Sequence, residues 1–236
     1  MADAATGPFS PSNFGIRVGM QALHFTVALR HADDYVRLAL EFDQIEKAMW
    51  DGDNSTASQL RAVECYSQRN QAGIIAVTFS GMTVEAFLYD FAAEKLGDKF
   101  VQTYLDKLEP KAKFLVYPQL VCGKQPDKSR QPFAALSNLV TFRNELVHFK
   151  SKFFDAHNIF KASDFHDEIS DRMKQGVPDA IDCVWLVVDE LDSLQGRASR
   201  HLERLEEWVS RKAIRRESNC GYNSNRKQKM DRRDNR

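Results

Sequence analysis

Glycine and proline are scarce in this chain, at 11 and 7 residues among 236. An all-β protein of this size needs turn chemistry at every hairpin, and these two residues supply much of it. Their scarcity points to helices. Cysteine is sparse and scattered: Cys65, Cys122, Cys183 and Cys220 form no CxxC and no Cys–His pair at ligand spacing. A metal site is therefore not expected, and the thiols suit a reducing cytoplasm. A Gly-rich phosphate loop is also missing, since Gly81 and Gly97 stand alone, which removes Walker- and Rossmann-type cofactor binding. Nucleophile elbows and kinase signatures are absent. The start, Met1-Ala2-Asp3-Ala4, carries an acid where a secretory signal carries positive charge. The expected location is the cytoplasm.

The chain does hold enough apolar surface for one folded domain, with 43% hydrophobic and 28% charged residues. Its net charge of +0 conceals an asymmetry. From Arg211 to Arg236 ten cations face three carboxylates, a net of +7, which leaves −7 on the first 210 residues. Arg211, Lys212, Arg215 and Arg216 lie nearest the body and are weak candidates for RNA contact through counterion release. The competing reading is a solvated, disordered terminus.

Periodicity divides the remainder. Residues 1–15 are small and polar and read as a disordered N-terminus; residues 16–210 read as a single helical domain; residues 211–236 read as a disordered basic tail. Between Ile16 and Leu29 apolar residues alternate, which suggests two short strands, a β-hairpin, with a helix as the alternative. Tyr35, Leu38, Phe42, Ile45 and Met49 then recur at spacings of three and four, one apolar helical face. Asp51-Gly52-Asp53-Asn54 ends that helix, and Ser55 or Thr56 can cap a long one reaching Leu96, with Gly97 as its C-cap. Asn70–Tyr89 contains one formal charge, Glu85. Its length would span a bilayer, but a mid-segment carboxylate is costly in lipid, so a core helix without membrane contact is expected. Shorter helices follow around Phe100–Leu108 and Lys111–Val121. Cys122–Gln131 reads as a polar loop, and a helix runs from Pro132 to about Phe154. Asp155–Val177 reads as an irregular stretch, and Pro178 as the start of a last helix whose apolar face runs from Val184 to Val209. The fold class is all-α, an antiparallel helical bundle.

One motif carries chemistry. Phe142-Arg143-Asn144-Glu145-Leu146-Val147-His148 sets an arginine, an amide and a histidine into an apolar helix. Guanidinium binds phosphate bidentately and stays charged. Imidazole, ordinarily titrating near 6.5, suits proton transfer. Asn144 and His148 share a helical face, whereas Arg143 sits about 140° around from His148. Spacing alone does not make these three a site. A second copy across a two-fold axis would densify the cluster. In the bland reading Arg143 forms a structural pair with Glu85 and His148 is an ordinary hydrogen-bonded residue. His157, Asp164, His166, Asp167 and Glu168 follow no trustworthy metal-ligand spacing and read as an acidic surface loop.

Arg143-Asn144-x-x-x-His148, together with the upstream run Phe79–Tyr89, resembles the signature of the HEPN superfamily. The resemblance covers roughly Ala32 to Phe154. It implies a bundle of four or five helices that works as a homodimer, and a metal-independent endoribonuclease needing no cofactor, possible toxin–antitoxin or phage-defence settings, and an antitoxin-type protein partner. In that scheme Arg143 holds the scissile phosphate, His148 exchanges the proton, and Asn144 orients one of them. Some members of the superfamily are non-catalytic modules for dimerisation or for binding a nucleotide or protein partner.

Overall fold

The computed structural model describes residues 19–53, 55–148, 159–196, 201–207 and 209–210. The described residues form an all-α bundle with no strand. Its elements are α1 (Gln21–Trp50), α2 (Thr56–Leu96), a short α3 (Asp98–Phe100) that tightens into a π-helical turn at Val101–Leu105, α4 (Pro110–Cys122), α5 (Gln131–Val147) and α6 (Ile159–Leu194). Residues 201–207 are helical again.

The centre is α2, which touches every other helix. Small residues make this possible: Ala72, Gly73, Ala76, Ser80, Gly81, Ala92 and Ala93 are buried along it, so neighbours approach closely on several sides. The hydroxyls of Ser80 and Thr83 donate to the carbonyls of Ala76 and Phe79, 2.8 and 2.7 Å, which settles two buried polar groups within the helix. Ser55 caps its N-terminus by accepting from the Ser58 amide at 3.2 Å. Gly97, at φ +83°, ends it, its amide bonded to the Ala93 carbonyl. By length and composition α2 could cross a membrane, but 56% of its most apolar window is buried inside the protein. Phe25, Phe91, Phe114, Tyr117, Leu88, Leu136 and Leu191 fill the core around it.

Four sequence expectations change. The alternation over Leu23–Leu29 is not a strand, because Gln21 onward is helical. Phe25 and Ala28 are the fully buried members of that stretch, spaced by three, and Phe25 meets the Trp185 ring edge-on at 5.1 Å. A helical face therefore coexisted with the period-two pattern, and burial against α6 selected it. Pro178 does not open the last helix. It lies inside α6, which begins at Ile159, so residues 159–177 are helical rather than irregular. Met173, Val177, Ala180 and Val184 are buried on both sides of the proline, and that continuous apolar face carries the helix through the lost hydrogen bond. The apolar face from Val184 to Val209 does not belong to one helix. α6 ends at Leu194, a turn with Gly196 at φ +68° follows, and the Asp192 carboxylate accepts from the Leu202 amide at 2.7 Å. The helix expected to reach Phe154 stops at Val147, with His148 as its C-cap. Residues 1–18, 149–158 and 211–236 fall outside the described residues, and with them the start of the expected strand at Ile16 and Val18, the disorder expected of the termini and the expected contacts of Arg211, Lys212, Arg215 and Arg216.

Candidate functional site

The motif sits at the C-terminal end of α5, between α2 and α6. Consecutive residues there point to different neighbours. Phe142 packs toward α6 and Arg143 toward α2, each against a glycine. A Cβ on Gly176 would stand 2.3 Å from Phe142 Cε1, and one on Gly81 would stand 2.9 Å from Arg143 Cδ. Neither glycine has an unusual backbone here. Both are clearances for a larger side chain on α5.

Seated over Gly81, Arg143 extends one turn along α2 to Glu85, and its Nη1 donates to Glu85 Oε1 at 2.6 Å. Gly81 and Glu85 are four residues apart and share a face, so one side of α2 provides both the slot for the stem and the counter-charge. The Arg143 side chain is 26% exposed and that of Glu85 35%. Arg143 Nε is buried with no partner. The pair is thus half-open: it neutralises the guanidinium without enclosing it, and one nitrogen of the fork has no bond.

Asn144 and His148 are exposed. His148 is not in a helix interior as expected; it is the C-cap of α5, with φ −100° and ψ 25°. Its amide donates to the Asn144 carbonyl at 2.9 Å, so the two are joined through the backbone at the last turn. The structure gives no hydrogen bond from the Arg143 guanidinium to either residue. Glu145 faces the other way, toward α6, where Arg172 meets it at 2.5 Å and also lies 5.1 Å above the Phe142 ring. The Glu145 charge is thus matched by a cation on α6.

Beside this end of α5 runs a groove of about 520 Å³ between α5 and α6, with Phe142, Leu139 and Ala180 at its floor and Asn138, Arg172 and Asp179 at its rim. Among the described residues no three His, Cys, Asp or Glu side chains come together as metal ligands do. The arrangement can bind an oxyanion at Arg143, if Glu85 yields, and can exchange a proton at His148.

Comparison adds no relative. No protein-family model, no curated protein and no solved structure matches the chain.

Sequence reasoning singled out Glu85 and Arg143, read Gly81 only as an isolated glycine, and overlooked Gly176 and Arg172. The signal for Gly81 was present: a glycine four residues before the lone carboxylate of an apolar helix marks a face on which something large must fit.

Proposed function

We propose that the chain is a HEPN-like, metal-independent endoribonuclease that acts as a homodimer on RNA. The observation that carries this reading is the seating of Arg143. Its stem is held over Gly81 while its head stays partly exposed beside the exposed Asn144 and His148. An arginine placed only for core stability has no need of an open head.

In the proposed reaction a phosphodiester displaces Glu85 from Arg143, which then balances charge developing on the non-bridging oxygens. The ribose 2′-oxygen attacks phosphorus, the bond from phosphorus to the 5′-oxygen breaks, and the products carry a 2′,3′-cyclic phosphate and a 5′-hydroxyl. His148, or its copy in the second subunit, takes the 2′ proton or supplies one to the leaving oxygen. Two motifs in one cleft would supply both transfers. Purified protein should cleave single-stranded RNA in EDTA, and Arg143→Ala or His148→Ala should reduce cleavage at least 10²-fold with the helical circular dichroism intact. Intact RNA across several substrates with wild-type protein refutes this reading.

The 2.6 Å Glu85–Arg143 pair favours a second reading, a non-catalytic HEPN-type module that dimerises or binds a protein partner or nucleotide. Under it Arg143→Ala lowers thermal stability while wild-type protein leaves RNA uncut.

A further inference from the structure

The far end of the α1–α2 hairpin has the composition of a binding surface rather than of a scaffold. Beyond Leu38 on α1, and before Cys65 on α2, neither helix has a buried residue. Apolar side chains continue nonetheless. Trp50, the last residue of α1, is 89% exposed. It borders a groove of about 510 Å³ formed with Phe42, Glu46, Met49 and Ala62. Tryptophan left in water at the rim of an apolar groove contributes nothing to this fold, while at interfaces it is among the residues that carry most energy.

Charge identifies what fits. Residues 41–64 contain six carboxylates and two cations. One cation, Arg61, is already committed, pairing with Glu41 and, at 3.4 Å, with Glu64. Asp43, Glu46 and Trp50 follow one another at spacings of three and four, so two carboxylates and the indole lie along one stripe of α1. Among the described residues no ion pair engages Asp43, Glu46 or Asp51. An acidic stripe flanking an apolar groove repels an anionic lipid surface or nucleic acid and attracts a cationic, amphipathic segment.

We propose that this hairpin end docks a protein partner through a Lys/Arg-rich amphipathic helix. Its apolar residues enter the groove between Phe42, Met49 and Ala62. Its cations reach Asp43, Glu46 and Asp51, and one of them stacks over the Trp50 ring. The proposal is independent of RNA cleavage, because the groove shares no residue with the Arg143 site.

The test uses full-length protein and two fluorescent synthetic helices, one of leucine and lysine in amphipathic register, the other with glutamate in place of lysine. Anisotropy should rise with the lysine peptide at micromolar protein and stay flat with the glutamate peptide. Trp50→Ala should weaken binding roughly tenfold, the difference expected when an interface loses an aromatic anchor. Asp43→Asn with Glu46→Gln should weaken it several-fold and flatten its salt dependence. At 89% exposure Trp50 can be replaced without disturbing the core. Equal affinity for both peptides, or unchanged affinity in Trp50→Ala, overturns the proposal. So does a sedimentation shift from dimer to monomer in Trp50→Ala, because the occupant would then be a second copy of this chain.

Discussion

Two arginines lie at the packing faces of the central helix, Arg69 on α2 itself and Arg143 against it from α5, and they are held by opposite means. Arg69 belongs to the junction of α1, α2 and α6. It is 4% exposed, its guanidinium lies 4.9 Å from the centres of both the Phe42 and Tyr66 rings, and Nη2 donates to Ser170 Oγ at 2.6 Å. Among the described residues no carboxylate pairs with it. Arg143, at the α2–α5 contact, has a carboxylate and remains partly open. Aromatic faces and a hydroxyl can keep a weakly hydrated guanidinium inside a fold, but they leave no edge for a ligand. A carboxylate at a half-open edge can be exchanged for another anion. Burial leaves Arg69 no solvent-facing edge, whereas Arg143 keeps part of its side chain in water, as the proposed function requires.

That contrast makes its strongest prediction for stability. Arg69→Ala removes the group between two rings and leaves the Ser170 hydroxyl without its donor, so urea unfolding should show a loss of about 2–4 kcal/mol. Arg143→Ala should cost about 1 kcal/mol or less, because Glu85 at 35% exposure rehydrates once freed. The reverse order would break the comparison and turn Arg143 into the structural residue.

How legible this was differs between the regions. α2 was readable end to end, Thr56 to Leu96, because Ser55, Gly97 and an apolar run are local signals. Arg143 stood out because charge in an apolar helix is conspicuous in the sequence itself. Arg69 did not, because its partners Phe42, Tyr66 and Ser170 come from three helices and only tertiary packing assembles them. The same limit explains α6. A proline is a strong local signal for a helix start, and it was overruled by a buried face whose partners lie on α2 and α5. His148 fell between these cases: its type was plain in the motif, but its place at a helix end depended on where α5 stops.

A smaller effect separates the regions by pH. Tyr35 lies within the Arg69 junction, its hydroxyl buried with no partner. Burial raises its pKa above the usual 10, opposed by the nearby charges of Arg69 and Lys174. The folded state thus prefers the neutral phenol. Its contribution to stability is complete below pH 10 and is lost as the pH rises past 10 toward the higher folded value. Tyr35→Phe should flatten that alkaline loss, read from unfolding midpoints between pH 9 and 11. In Arg69→Met, where the opposing cation is gone, the 295 nm absorbance change that Tyr35→Phe abolishes should move to still higher pH. A shift to lower pH would mean that Arg69 does not act on this phenol.

The smallest stability change is expected at Gly81, and it is the most discriminating. Alanine in place of a mid-helix glycine gains about 1 kcal/mol of helix propensity. At Gly176 that gain is outweighed, because the new methyl would stand 2.3 Å and 2.7 Å from two atoms of a rigid ring, Phe142. Gly176→Ala should therefore lose about 1–3 kcal/mol. At Gly81 the obstacle is Cδ of a flexible arginine, 2.9 Å away, which can swing aside. Gly81→Ala should then leave stability within about 1 kcal/mol of wild type while moving Arg143 off Glu85. If Arg143 is a functional group, RNA cleavage falls in a protein that unfolds like wild type. If Arg143 serves only the fold, Gly81→Ala behaves like Gly176→Ala and loses stability with it. One methyl group, added on the face of α2 that meets Arg143, thus separates the two meanings of the Glu85–Arg143 pair without replacing either residue.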